Sequence, residues 1–275
     1  MKRLIKIVAV AAAVLAGASA FAKPKFRDAE QIKKSKVLKV AVFSDKKPFG
    51  YVDEYGKYQG YDVYFAERIA KDLGVKIKYV PVEPAQRVEV LATGKVDIVL
   101  ANFTVTKERA EKVDFALPYM KVALGVVSNE KDPVEKVEDL FGKTLIIAKG
   151  TTAETFFAEN YPQINLLKFD QYADAYNALL DGRGTGLSTD NTEVLAWALE
   201  NKGFFVGQGV TSLGNLDTIA PAVAKGNSGL LSWLNGEIEK LGKENFFHAD
   251  YEATLRPVYG KDSDADSLVV EGGKL

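Results

Sequence analysis

Several groups in this chain are placed to hold an anion. The stretch Ala101-Asn-Phe-Thr-Val-Thr-Lys-Glu-Arg109 puts a hydroxyl residue, Thr104, five positions before Arg109. It follows the apolar, β-branched run Val96-Asp-Ile-Val-Leu-Ala101, which reads as a buried strand. A chain leaving a strand end into a short helix presents free backbone groups, and an arginine there adds a planar two-pronged donor suited to a carboxylate. The alternative is an arginine solvated on a helix face among Lys107, Glu108 and Glu111. Gly150-Thr-Thr opens another helix, whose first N–H groups and partial positive charge also suit an anion. Thr151 fits equally a plain N-cap, with Glu154 closing a capping box. Asp190 follows a strand-like run and precedes the apolar stretch Asn191–Glu200, which by itself reads as an N-cap.

The means for nucleophilic or metal chemistry are thin. There is no cysteine, and His248 is the one histidine, so it reads as structural. No metal-ligand spacing and no Ser-His-Asp arrangement appears, so no catalytic residue, metal or cofactor is assigned. With a net charge of -1 there is no basic excess to neutralise phosphates, which argues against nucleic acid as a partner.

The elements that must position these groups alternate along the chain. Residues 1–22 read as a secretory signal peptide: a basic head (Met1–Lys6), an apolar alanine-rich core, and small residues up to Ala22. The expected location is a periplasm, free in solution and without a lipid anchor. Val37–Phe43, Val75–Val80 and Val96–Ala101 read as strands, and Tyr61–Leu73 and Ala85–Thr93 as helices. A second set begins near Met120, with strands at Val122–Ser128, Lys143–Ala148, Leu166–Phe169 and Gly186–Ser188, and helices between them. A third segment reads as strand Thr218–Ala224 and helix Leu230–Leu241, then a helical stretch near Lys243–Tyr251. Such alternation implies α/β layers with mostly parallel sheets. The economical arrangement is two α/β lobes with a cleft between them: 23–119 in the first, 120–219 in the second, and 220–275 returning to the first with a C-terminal tail.

The chain from residue 23 onward resembles the periplasmic polar-amino-acid-binding proteins of ABC importers (solute-binding protein family 3). The resemblance rests on Lys47-Pro-Phe-Gly50, Gly60-Tyr-Asp-Val63, Gly94-Lys-Val-Asp97, Asn102–Arg109, Val113-Asp-Phe-Ala-Leu-Pro-Tyr119, Lys149-Gly-Thr-Thr-Ala153, Leu180-Asp-Gly-Arg183 and Ser188-Thr-Asp190, taken in order. Within the family it is most similar to the cysteine-binding branch, through Val42-Phe-Ser-Asp45, Tyr64-Phe65, Glu244-Asn-Phe-Phe-His248 and Leu268-Val-Val-Glu-Gly272.

The resemblance implies a type II periplasmic-binding-protein fold and a zwitterionic ligand. Arg109 and Thr104 would hold its α-carboxylate from one lobe, and Thr152, beside Thr151, from the other. Asp190 would take the ammonium. Asn102 would offer a backbone carbonyl and Phe103 an apolar wall. Arg87 would reach the ligand's side chain or reinforce the carboxylate site, or else be a solvated helix charge. Phe43, Ser44, Lys46 and Tyr64 would form rim or wall. Tyr64 departs from the acidic residue many relatives carry there. Gly186 also departs from the pattern, and it would either enlarge the pocket or permit close packing. The implied partners are a small amino acid and a membrane permease, and the implied state is a monomer. The competing expectation is a cyclohexadienyl or arogenate dehydratase-type enzyme on the same scaffold.

Overall fold

The computed structural model describes residues 26–275, so the expected signal peptide lies outside the described residues. Two mixed sheets, each flanked by helices, form two lobes. The first sheet runs in the order Lys76–Pro81, Val37–Val42, Ile98–Val99, Ala222–Ala224, Val113–Phe115. Its first three strands are parallel, and Ala222–Ala224 is antiparallel to both neighbours. Helix Tyr61–Leu73 covers one face because Val63, Phe65, Ala66, Ile69 and Leu73 recur at helical spacing and are all buried. Phe65 packs edge-on against Phe247, which lies beyond the long helix Ser228–Lys243.

The second sheet runs Asn165–Phe169, Thr144–Ala148, Gly186–Asp190, Met120–Asn129, Phe204–Val206. The first three are parallel, while Met120–Asn129 runs antiparallel to Gly186–Asp190, to Phe204–Val206 and to Leu213–Ile219. Each sheet is therefore parallel on one side and antiparallel on the other. The antiparallel strands are those nearest the points where the chain passes between sheets. The expected single strand Thr218–Ala224 is divided: Leu213–Ile219 pairs in the second sheet and Ala222–Ala224 in the first. Pro221 lies at the break, where it offers no N–H to continue a ladder.

Two chain segments pass between the lobes side by side. Tyr119 donates its N–H to Ile219 at 3.0 Å. The C-terminal tail docks on the same strand, with Lys121 donating to Leu268 and Val270 to Tyr119. His248 ties that tail down, its ring nitrogens 2.6 Å from Glu271 and 2.9 Å from Asp266. This is the structural role expected of the lone histidine. A small three-stranded antiparallel sheet, Asp45–Lys46, Gly50–Val52 and Tyr58–Gln59, precedes helix Tyr61–Leu73. It reaches toward the second lobe, where Asp45 Oδ2 accepts the N–H of Ala173 at 3.0 Å.

Gly186 is a packing residue. A β-carbon there would stand 2.9 Å from Val126 Cγ1 and 3.1 Å from the Val127 carbonyl, inside the sheet and away from the cleft.

Candidate functional site

Where strand Ile98–Val99 ends, the chain turns sharply at Asn102, whose φ of 43° lies in the left-handed region that asparagine tolerates. The turn exposes the carbonyls of Ala101 and Asn102, and both accept from Arg87 Nη1, at 3.1 and 3.0 Å. Arg87 Nε donates to the Pro84 carbonyl at 2.9 Å. Arg87 is thus buried, not solvated, and bonded wholly to main-chain oxygens. Arg109 arrives from the short helix Lys107–Lys112, capped by the Thr106 side chain, and donates to the Thr104 carbonyl at 2.7 Å. The two guanidiniums stack on the Phe103 ring, at 4.5 Å for Arg87 and 4.9 Å for Arg109. Neither pairs with a carboxylate. Burial pulls Arg109 down to about 9, and the neighbouring Arg87 adds to the effect. Two adjacent, partly desolvated cations make an anion site.

The second lobe supplies the opposite face. Thr151 caps helix Thr152–Asn160: its hydroxyl accepts from the Glu154 N–H at 3.2 Å and donates to the Ala148 carbonyl at 2.7 Å. Glu154 reaches one residue further back than a capping box requires and accepts from the Gly150 N–H at 2.7 Å. The Thr151 hydroxyl is therefore committed, and Thr152 lines the cavity at the first turn. Asp190 stands at the N-cap position of helix Asn191–Glu200 but makes no cap hydrogen bond. The residue is 5% exposed and lines the cavity, so the plain N-cap reading does not hold.

These groups meet around one narrow cavity between the lobes. Arg87, Asn102, Thr104 and Arg109 line it from the first lobe. Thr151, Thr152, Ala153, Tyr172, Thr189 and Asp190 line it from the second. Its free volume is about 10 Å³, close to that of a single water. A wider cavity of about 800 Å³ lies outside it and shares Arg109, Thr151 and Thr152. Both Asn102 side-chain polar atoms are buried without a partner. Such orphans are rare and point to a ligand contact. The expected Asn102 carbonyl is already occupied by Arg87, so its side-chain amide is the free group.

Two expected wall residues sit elsewhere. Tyr64 lies on the outer face of helix Tyr61–Leu73, its ring tilted against that of Phe246 at 5.5 Å, and does not reach the cavity. Its side chain points away because Val63 and Phe65 take the buried face. Phe43 is wholly buried and backs the site without lining it, in edge contact with Tyr172 at 5.5 Å. Phe103 does the same for the two arginines and also packs on Phe115.

Sequence reasoning missed Glu193, Tyr172 and Thr189. Lys46, expected at the rim, is 1% exposed and lies 2.6 Å from Glu193 Oε2. Burial disfavours its charge, but Glu193, Tyr172 and Asp190 outweigh that and raise its pKa. No local pattern marks a pair whose members are 147 positions apart on two lobes. The acid three residues after Asp190 was the one available hint.

Two α/β lobes closing on a cavity with cations on one side and a carboxylate on the other define a binding protein for a small zwitterion-sized solute. The chain belongs to the bacterial extracellular solute-binding proteins, family 3, whose family pattern matches residues 38–252. Among solved structures it is similar to a solute receptor for L-cysteine of Neisseria gonorrhoeae, with 50% identity and a TM-score of 0.86, covering 89% of this chain and 100% of that one. A cysteine-binding protein from Campylobacter jejuni is also similar, with 50% identity and a TM-score of 0.86 over 88% of this chain and 98% of that one. The glutamine-binding protein GlnH of Bacillus subtilis is 29% identical over 82% of this chain and 83% of its own. A cyclohexadienyl dehydratase of Pseudomonas aeruginosa is 32% identical over 66% of this chain and 68% of its own. Among the described residues no helix is long and apolar enough to cross a membrane, and no group of three or more His, Cys, Asp or Glu side chains could hold a metal ion.

Proposed function

We propose that this protein captures a short polar α-amino acid, L-cysteine in the first place, by closing its lobes over it, and presents it to the permease of an ABC transporter. It would do so as a monomer in the periplasm, after removal of residues 1–22. The observation that carries this reading is the opposition of two guanidiniums without carboxylate partners and one carboxylate without a cap bond across a narrow cavity. An α-carboxylate suits Arg109 with Arg87, helped by the Thr104 and Thr152 hydroxyls and by the free N–H groups at the helix start. The ammonium suits Asp190, and the orphaned Asn102 amide faces the same cavity. The tight space favours a small side chain, and the two cysteine-binding structures at 50% identity favour cysteine. Residues 23–119 with 220–275 would move as one body and 120–219 as the other, hinged at Tyr119–Lys121 and Ile219–Ala222. Closure is then a population shift toward the state that touches the ligand from both sides.

The test is a thermal-shift screen against the standard amino acids and cystine, in which a bound ligand raises the midpoint by mass action. L-Cysteine is expected to give the largest rise. Asp190→Ala is expected to weaken its binding by about 30-fold or more, the effect of truncating one partner of a buried charge pair. Wild-type affinity in that variant would remove Asp190 from the site. Turnover of prephenate or arogenate would instead favour an enzyme. No observation on the cavity favours that reading, since His248 is engaged by Glu271 and Asp266 outside it.

A further inference from the structure

Behind the cavity, on the far side of Tyr172, Thr189 and Asp190, lies a buried pair, Lys46 and Glu193. The Lys46 ammonium is 2.6 Å from Glu193 Oε2 and 3.1 Å from Tyr172 Oη. It is 3.4 Å from both Thr189 Oγ1 and Asp190 Oδ2, and 4.2 Å from the centre of the Tyr172 ring. Lys46 and Glu193 are each 1% exposed, and neither lines the cavity. Lys46 comes from the first lobe and its partners from the second. The other titratable groups in electrostatic reach are Asp62, Arg87, Arg109, Asp217, Tyr176 and Tyr259, and none of them hydrogen-bonds to Lys46.

One ammonium therefore faces two carboxylates, closely for Glu193 and loosely for Asp190. Two neighbouring buried carboxylates repel each other, and a cation between them relieves that repulsion. A lysine facing Asp190 alone would neutralise the charge that a ligand's ammonium needs. We propose that Lys46 and Glu193 are positioning residues for ammonium capture: Lys46 offsets the repulsion between the two carboxylates, and Glu193 draws that lysine off Asp190. Because Lys46 arrives from the opposite lobe, the ammonium site is complete only when the lobes are together. The inference rests on the zwitterion reading of the cavity.

Calorimetry with L-cysteine near pH 7, in phosphate and in Tris, reads both affinity and proton exchange. In Lys46→Met one proton is shared between Asp190 and Glu193 in the empty site, and the ligand's ammonium displaces it. That variant should release about one proton more per ligand than wild type, and its affinity should rise about tenfold further per pH unit. In Glu193→Gln the lysine moves onto Asp190, and affinity should fall at least about tenfold without extra proton release. The double variant removes both charges and leaves Asp190 free, though it also gives up the cross-lobe ion pair; it should recover most of the affinity lost in Glu193→Gln, with no extra proton. If Lys46→Met does not fold, the contrast between Glu193→Gln and the charge-neutral double variant decides the matter. Wild-type affinity in Glu193→Gln, or a double variant as weak as that single one, would overturn the inference and leave the amino-acid reading intact. Failure of the wild type to bind any amino acid would remove both.

Discussion

Gly150 is a point of close backbone contact between the two lobes, and replacing it by alanine separates closure from folding. Its φ is +73°, and a β-carbon added there would stand 2.5 Å from Ala85 Cα, 2.8 Å from Ala85 N and 2.9 Å from Ala85 Cβ. Those atoms are backbone or nearly so, on the opposite lobe, and cannot step aside. Ordinary carbon–carbon contact needs about 3.5–4.0 Å, so the lobes must part by about 1 Å at this point. The Gly150 carbonyl is also what both arginines grip across the gap, Arg87 Nη2 at 3.2 Å and Arg109 Nη2 at 3.0 Å. A parting of about 1 Å takes both beyond hydrogen-bonding range. Hydrogen bonds to charged groups contribute about 1.5–3 kcal/mol each, so the closed state loses about 3 kcal/mol or more. That corresponds to about 100-fold weaker binding. The left-handed backbone adds about 1–2 kcal/mol of strain, but this weighs on the open and closed forms alike. Gly142→Ala is the matched control, because Gly142 has φ +72° with nothing within 4 Å of an added β-carbon. Calorimetry with L-cysteine, with thermal unfolding alongside, should show both variants folded with similarly lowered midpoints. Only Gly150→Ala should lose affinity. Equal affinity in the two variants would refute the argument that this glycine permits closure.

Two further outcomes follow from the buried and exposed faces of one helix. Asp62 accepts from the Asn102 N–H at 2.7 Å and from Tyr119 Oη at 2.5 Å. Burial outweighs both bonds and pushes its carboxyl from 3.8 up to about 6. The native state thus binds this proton more tightly than the unfolded chain. The contribution is full below pH 3.8 and is lost as pH rises through about 6. Urea unfolding should show Asp62→Asn gaining about 3 kcal/mol relative to wild type between pH 3.5 and 7.5, and parallel profiles would contradict this. Tyr64→Ala should leave cysteine affinity within about twofold of wild type and cost about 1 kcal/mol of stability through the lost Phe246 contact, whereas a large affinity loss would return Tyr64 to the site.

Much of the scaffold was legible because burial is periodic. Helices Tyr61–Leu73 and Asn191–Glu200 fall at the residues their apolar spacing marks. The strand over Val96–Ala101 shrinks to Ile98–Val99, since apolar character records burial and not pairing. The cavity was legible where a motif combines a charge with a chain end, as at Thr104–Arg109, Gly150–Thr152 and Asp190. Arg87 shows the limit: its sequence fits a surface charge as well, and only the turn at Asn102 gives it carbonyls to bond in the interior. Tyr64 was misplaced because resemblance aligns positions without telling which helical face a substituted residue presents. Lys46 with Glu193 was invisible because long-range pairing of opposite charges leaves no local trace.

Three small thiols bear on the whole account. L-Cysteine carries both charged ends, 3-mercaptopropionate lacks the ammonium, and cysteamine lacks the carboxylate. With guanidiniums on one lobe and Asp190 on the other, calorimetry should detect binding of L-cysteine and at least about 30-fold weaker binding of each truncated thiol. Comparable affinity for either truncated thiol would mean that the cavity does not hold a ligand by its two opposite charges.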